Sequence, residues 1–237
     1  DDTSHRYHGD WIENRGTLRG AVYLATGNDT LINKGLIDGA VDLGLDNDVF
    51  DGSAGIQTGP VYGFAGDDRL TGGDAADILL GEDGADILRG GGGDDYIEGG
   101  RDGDDLDGGK GWDTVSYSAS NARLVIDLST GVADSAGIDR AANFEHVVGT
   151  RFADLMIGSA ADDVLEGGRG GDRLFGGGGD DIIFGGRGDD DLTGGEGADV
   201  FLYATGDGAD LIRDFHQMDR IRVAGTGGSG AYTNLTR

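Results

Sequence analysis

Twelve aspartates stand nine residues apart in two runs: Asp68, Asp77, Asp86, Asp95, Asp104 and Asp113, then Asp154, Asp163, Asp172, Asp181, Asp190 and Asp199. Each closes a six-residue segment that opens on Gly. An ionised carboxylate is a hard oxygen ligand, and the short Asp side chain holds it close to the backbone of a tight turn. Asp beside Gly in this way suggests turns that gather oxygen ligands, and a hard cation is the natural suspect.

Composition points the same way. Of the 45 acidic residues 39 are Asp and 6 are Glu, although Glu is the better helix former. Gly supplies 50 of 237 residues and Pro 1, which excludes collagen, where Gly needs a triplet period and much Pro. The net charge of −27, with 16 Arg and 2 Lys scattered singly, argues against nucleic acid as a partner. No apolar run is long enough to span a bilayer, so membrane insertion is not expected, and the first twenty residues carry charges where a Sec signal needs an apolar centre. Without Cys there are no disulfides and no thiolate metal sites, and the compartment is left open.

The aspartates belong to nonapeptides. From Gly63 the chain reads GFAGDDRLT, GGDAADILL, GEDGADILR, GGGGDDYIE, GGRDGDDLD, GGKGWDTVS, and from Gly149 GTRFADLMI, GSAADDVLE, GGRGGDRLF, GGGGDDIIF, GGRGDDDLT, GGEGADVFL. Position one is Gly and position eight apolar in all twelve, and positions two and four are Gly in eight each. Gly permits tight turns with positive φ, and residues seven to nine extend as a short strand. Position eight then faces inward: Leu70, Leu79, Leu88, Ile97, Leu106 and Val115 in one block, Met156, Leu165, Leu174, Ile183, Leu192 and Phe201 in the other. Strands this short need neighbours, so two nonapeptides make one flattened coil, and stacked coils form two facing parallel sheets with the turns along both edges.

The pattern GGxGxDxUx, with U a large apolar residue, resembles the signature of the RTX (repeats-in-toxin, hemolysin-type) calcium-binding family and its parallel β-roll. The resemblance implies an all-β fold, a right-handed β-solenoid in two six-repeat blocks with a strand-rich connector and a C-terminal cap. It also implies calcium ions between turns two repeats apart, bound by carbonyls two and four plus the Asp of one turn and carbonyls one and three plus the Asp of the next. Carried onto this sequence, Phe64, Gly66 and Asp68 join Gly81, Asp83 and Asp86, while Gly73, Ala75 and Asp77 join Gly90, Gly92 and Asp95. Glu82, Gly84 and Asp86 then join Gly99, Arg101 and Asp104, and Gly91, Gly93 and Asp95 join Gly108, Lys110 and Asp113. In the second block Thr150, Phe152 and Asp154 meet Gly167, Arg169 and Asp172, and Ser159, Ala161 and Asp163 meet Gly176, Gly178 and Asp181. Gly168, Gly170 and Asp172 meet Gly185, Arg187 and Asp190, and Gly177, Gly179 and Asp181 meet Gly194, Glu196 and Asp199. Ala75, Asp102, Phe152 and Ala161 replace the fourth-position Gly, where a side chain fits a strained turn poorly. About eight or more ions would offset about sixteen negative charges.

Around the blocks the organisation changes. Residues 1–13 read as a mobile leader. Residues 14–62 carry a 19-residue period, Asn14-x-Gly-x-Leu-x-Gly20-x-Val22-x-Leu24 to Asp29, then Asn33 to Asp48, which reads as an extension of the solenoid with longer strands. Asp29 and Asp48 are either weaker ligands or plain turn residues. Residues 117–148 read as a connector with capping strands between blocks 63–116 and 149–202, residues 203–224 as a C-terminal cap, and residues 225–237 as a disordered tail.

No catalytic apparatus is evident. His5, His8, His146 and His216 are too dispersed for zinc, and no nucleophile elbow or phosphate loop is present. Trp112, Tyr96 and Phe184 are expected to be buried rather than to stack on sugars, and Arg69, Arg89 and Arg173 are the candidates for contact with uronates of an extracellular polysaccharide. The expectation is therefore a non-catalytic, calcium-driven folding module of a secreted bacterial protein, which by resemblance passes the type I secretion machinery unfolded. Two alternatives stay open: a C-terminal module of a larger secreted protease, lipase or polysaccharide-modifying enzyme, and an adhesin or matrix protein that binds polysaccharide.

Overall fold

The computed structural model describes residues 9–224 and the backbone of 232–235. All regular structure in them is β, and among the described residues no helix is long and apolar enough to cross a membrane. The chain divides into two compact units, residues 1–116 with 136–144, and residues 117–135 with 145–237.

The first unit is a parallel solenoid with two main walls. One wall stacks Trp11–Asn14, Thr30–Asn33, Val49–Asp51, Arg69–Thr71, Ile87–Gly92, Asp105–Lys110 and Ile138–Ala142. The other stacks Val22–Tyr23, Val41–Leu45, Val61–Ala65, Ile78–Asp83, Tyr96–Arg101 and Thr114–Ser116. The register is the one the apolar period requires: Leu31, Phe50, Leu70, Leu88, Leu106 and Ala141 form one column, and Val41, Val61, Leu79, Ile97 and Val115 another. All twelve position-eight side chains of the two arrays are fully buried. At roughly 1.5 to 3 kcal/mol for each side chain of this size, these columns are the main apolar drive for stacking.

The 19-residue units differ from the expectation of longer strands. Each coil there has three short strands, the additional wall being Thr17–Arg19, Leu36–Asp38 and Ile56–Gln57. The cause is a corner. The buried Asn14 amide donates to Asn33 Oδ1 at 2.8 Å and to the Leu36 carbonyl at 3.1 Å, while the Gly16 amide donates to Asn14 Oδ1 at 3.0 Å. The Asn side chain thus takes over backbone hydrogen bonding where the chain turns.

In the second unit Val125–Asp127, Leu155–Ile157, Arg173–Gly178, Asp191–Glu196 and Leu211–Ile212 form one parallel stack, with Val132–Asp134 antiparallel to its first strand. His146–Val148, Val164–Glu166, Ile182–Phe184, Val200–Tyr203 and Arg220–Ala224 form the other. Segment 117–148 is therefore more than a linking cap: residues 138–142 add a coil wall to the first unit, and residues 125–127 and 146–148 open the two stacks of the second. Residues 203–224 likewise continue the coils. Of the expected leader and tail, residues 1–8, 225–231 and 236–237 lie outside the described residues. Tyr232–Leu235 pairs antiparallel with Arg220–Ala224.

Candidate metal centres

Along the edges of each unit the sixth-position aspartates stack into ladders. In every rung the backbone N–H of one Asp donates to Oδ1 of the Asp one coil further on. In the first unit Asp48 donates to Asp68 at 2.7 Å, Asp68 to Asp86 at 2.8 Å, Asp86 to Asp104 at 2.9 Å and Asp104 to Asp139 at 2.9 Å. On the opposite edge Asp77 donates to Asp95 at 2.8 Å and Asp95 to Asp113 at 2.9 Å. In the second unit Asp154, Asp172, Asp190 and Asp210 form one ladder at 2.8, 2.8 and 3.1 Å. Asp163, Asp181, Asp199 and Asp219 form the other at 2.8, 3.1 and 3.2 Å.

Oδ1 is thus committed to the fold, and the second oxygen is left over. Oδ2 of Asp68, Asp86, Asp95, Asp104, Asp172, Asp181, Asp190 and Asp199 is buried without a hydrogen-bond partner, on side chains at most 3% exposed. A buried, unpartnered carboxylate oxygen is costly to keep ionised. Burial accordingly pushes the carboxyls of Asp86, Asp95, Asp104, Asp172 and Asp181 up to about 7, and those of Asp68 and Asp190 up to about 6. Such an oxygen, with turn carbonyls around it, suits a hard divalent cation. Among the described residues no three His or carboxylate side chains converge, so each centre has one or two carboxylates and would draw its other oxygens from the backbone.

The glycines divide by task. Positive φ occurs at positions two and four, as at Gly91 (107°) with Gly93 (100°) and Gly177 (113°) with Gly179 (100°). Position one needs Gly for another reason: a Cβ on Gly81 would lie 2.2 Å from Asp86 Oδ2 and 2.5 Å from the Gly99 carbonyl oxygen. Gly176 stands in the same relation to Asp181 Oδ2 and the Gly194 carbonyl. That cradle of two oxygens is what the invariant first Gly keeps open.

Three of the twelve turns depart from this form. In 72–77, 149–154 and 158–163 neither position two nor position four has positive φ. Instead the N–H of Gly73, Thr150 and Ser159 donates back to Oδ2 of Asp77, Asp154 and Asp163 at 2.7, 2.7 and 2.6 Å. These are the first rungs of their ladders, and they carry Ala75, Phe152 and Ala161 at position four. Asp102, which stands at the same place, takes φ +71°, because a short polar side chain tolerates the left-handed region. Phe64 and Glu82 at position two do so as well, at 73° and 79°. Five of the eight site pairings therefore have both turns in the left-handed form: 64–68 with 81–86, 82–86 with 99–104, 91–95 with 108–113, 168–172 with 185–190, and 177–181 with 194–199.

Some expected carbonyl ligands also hold the coils together. Position-two carbonyls accept from position three of the next coil, as Gly168 from the Arg187 amide at 2.8 Å. Position-three carbonyls accept from position four of the coil before, as Arg187 from Gly170 at 2.8 Å and Asp83 from Gly66 at 3.0 Å. A carbonyl oxygen keeps a second lone pair in such a bond.

Sequence inspection missed Asp139, Asp210 and Asp219 as rungs. For Asp210 a signal was there: Thr205-Gly-Asp-Gly-Ala-Asp210 has Gly206 and Gly208 at φ 95° and 127° and Ile212 at position eight, displaced by two inserted residues. His146 lies 3.3 Å from Glu166 and His216 3.7 Å from Asp219. Of the arginines expected to face solvent, Arg69 and Arg173 are exposed, whereas Arg89 turns onto the Asp105 carboxylate. Trp112, expected to be buried, is exposed.

A parallel β-solenoid edged with such turns is a calcium-binding repeat protein of the β-roll class. The RTX calcium-binding nonapeptide repeat matches in four copies, at residues 62–97, 89–121, 143–174 and 166–201, half of the chain, and the chain belongs to that family. No curated protein matches it. Among solved structures, the crystal structure of the extracellular lipase LipA from Serratia marcescens is similar at 21% identity and a TM-score of 0.26, over 85% of this chain and 38% of the lipase chain. The chain thus spans under two fifths of that protein's length.

Proposed function

We propose that this chain is a non-catalytic module of a secreted bacterial protein that folds when it meets extracellular calcium, with the ions held between successive turns of each edge. The observation that carries this reading is the set of buried Oδ2 atoms with no protein partner. They destabilise the metal-free coil stack and become ligands once a cation is present. Extracellular calcium modules bind at roughly 10⁻⁴ to 10⁻³ M, so the chain would remain open inside a cell and close outside, which suits passage through a type I channel. The five pairings with two left-handed turns are the full sites, and the three with a self-bonded first rung offer one turn each. Far-ultraviolet circular dichroism of the chelated chain during calcium titration, with magnesium as control and bound ions counted, tests this. A cooperative, calcium-specific gain of β structure with five or more ions bound supports it, and a folded, calcium-indifferent apo chain rejects it.

A second reading, attachment to an acidic polysaccharide, is favoured by one feature. Arg151, Arg169 and Arg187 occupy the third position of successive turns on one edge of the second unit, all exposed, and line an open cavity of about 460 Å³ with Phe184 and Asp207. A column of guanidinium groups in an otherwise acidic protein matches a chain of uronate carboxylates. Binding of a polyuronate to the calcium-loaded chain, lost in the double variant Arg169→Gln, Arg187→Gln, is the expected result. Unchanged binding removes this reading.

A further inference from the structure

We propose that the 19-residue units upstream of the nonapeptide arrays hold two further calcium sites, one between turns 24–29 and 43–48 and one between turns 43–48 and 63–68, with Asp48 shared. This rests on the calcium reading above and extends it to residues outside the matched repeats.

The carboxylate ladder does not begin at Asp68. The Asp29 N–H donates to Asp48 Oδ1 at 2.7 Å, as the Asp48 N–H does to Asp68 Oδ1 at 2.7 Å. Asp29 and Asp48 are 0% and 1% exposed, and Oδ2 of each is buried without a partner, as in the interior rungs of the arrays. They are unlike the self-bonded first rungs Asp77, Asp154 and Asp163.

The turns agree as well. Positions two and four have positive φ in both, Ala25 (81°) with Gly27 (109°) and Gly44 (108°) with Asp46 (79°). Ala25 and Asp46 adopt the left-handed region without being Gly, a cost that the surroundings must hold in place. Coil-to-coil bonding repeats the array: the Leu45 N–H donates to the Ala25 carbonyl at 2.9 Å, and the Gly27 N–H to the Leu45 carbonyl at 3.2 Å. By the pairing rule of the arrays, the first site takes carbonyls of Ala25, Gly27, Leu43 and Leu45 with Asp29 and Asp48. The second takes those of Gly44, Asp46, Gly63 and Ala65 with Asp48 and Asp68. One difference is real. Position one, which is Gly in the arrays, is Leu24 or Leu43 here, yet Oδ2 of both Asp29 and Asp48 is still buried without a partner, and position one of the second site's further turn is Gly63.

The test counts calcium bound by the full chain at saturation. Asp48→Asn keeps the oxygen that accepts the Asp29 amide but loses the charge, and it should bind two ions fewer than the unsubstituted chain; Asp29→Asn should bind one fewer. Asp86→Asn, inside the array, is the reference. If Asp86→Asn loses ions while Asp48→Asn and Asp29→Asn do not, the upstream sites are rejected and the array reading stands. If the unsubstituted chain binds no calcium, both readings fall. A measurement independent of variant folding uses terbium in place of calcium. Trp11 pairs with Thr30, next to Asp29, so terbium emission excited at the red edge of tryptophan absorption should drop in Trp11→Phe. Emission that depends on Trp112 alone overturns the proposal.

Discussion

The backbone N–H of Asp68 donates to Oδ1 of Asp86, eighteen residues on, at 2.8 Å, while Oδ2 of that same carboxylate is buried and unpartnered. One side chain therefore joins two coils and holds an oxygen in reserve. Stacking and ligation share one residue, which is why folding and calcium binding are expected to be a single event.

Acidity should replace part of what calcium does. The carboxyls of Asp86, Asp104 and Asp172 rise from an ordinary 3.8 to about 7 in the metal-free fold. A group whose folded pKa lies above its unfolded value stabilises the fold when protonated, so apo stability falls as pH rises from about 4 to about 7. Apo circular dichroism should show more β structure near pH 4.5 than near pH 8, and the calcium midpoint should rise as pH drops below 7. An apo signal and a calcium midpoint that both ignore pH would contradict this.

Interior and first-rung aspartates should separate. Asp172→Ala removes the unpartnered oxygen shared by two pairings, whereas Asp154→Ala removes a carboxylate whose two oxygens already accept from Thr150 and Leu124. The expected outcome is a larger fall in bound ions and in the Hill slope for Asp172→Ala. Equal losses would reject the register.

Two glycines two residues apart should behave oppositely. Gly176→Ala would put Cβ 2.2 Å from Asp181 Oδ2, whereas Gly178→Ala meets nothing closer than 3.7 Å and has no positive φ. Thermal melts of the calcium-loaded chain should show a cost of about 2 kcal/mol or more for Gly176→Ala and close to none for Gly178→Ala.

The apolar columns should matter even with metal present. Leu88 is fully buried between Leu70 and Leu106, so Leu88→Ala should cost about 2 to 5 kcal/mol in the same melts. Unchanged ion stoichiometry at high calcium would show that the column and the ligands contribute separately.

Much of this was legible because a nonapeptide repeat writes its structure locally. The inward position-eight residues, the two-strand coil and the stacked aspartates all follow from a period of nine, and all twelve apolar residues are buried as the period demands. Where the period lapses, legibility lapses too. Nothing local to Asp139 marks it as the rung after Asp104, since 35 residues separate them and only a coil closing over that distance unites them.

The sequence alone determined a β-solenoid with oxygen-rich edges, because Gly, Asp and one apolar residue at fixed spacing leave the backbone few other ways to bury its side chains. Only the tertiary structure decided which oxygens are free. Whether a carboxylate turns onto its own coil, as Asp154 does to Thr150, or leaves Oδ2 unpartnered, as Asp172 does, depends on the conformation of its turn. The turned-in carboxylates are those of the first rungs, Asp77, Asp154 and Asp163, and which turn begins a ladder is fixed by the stacking of the coils.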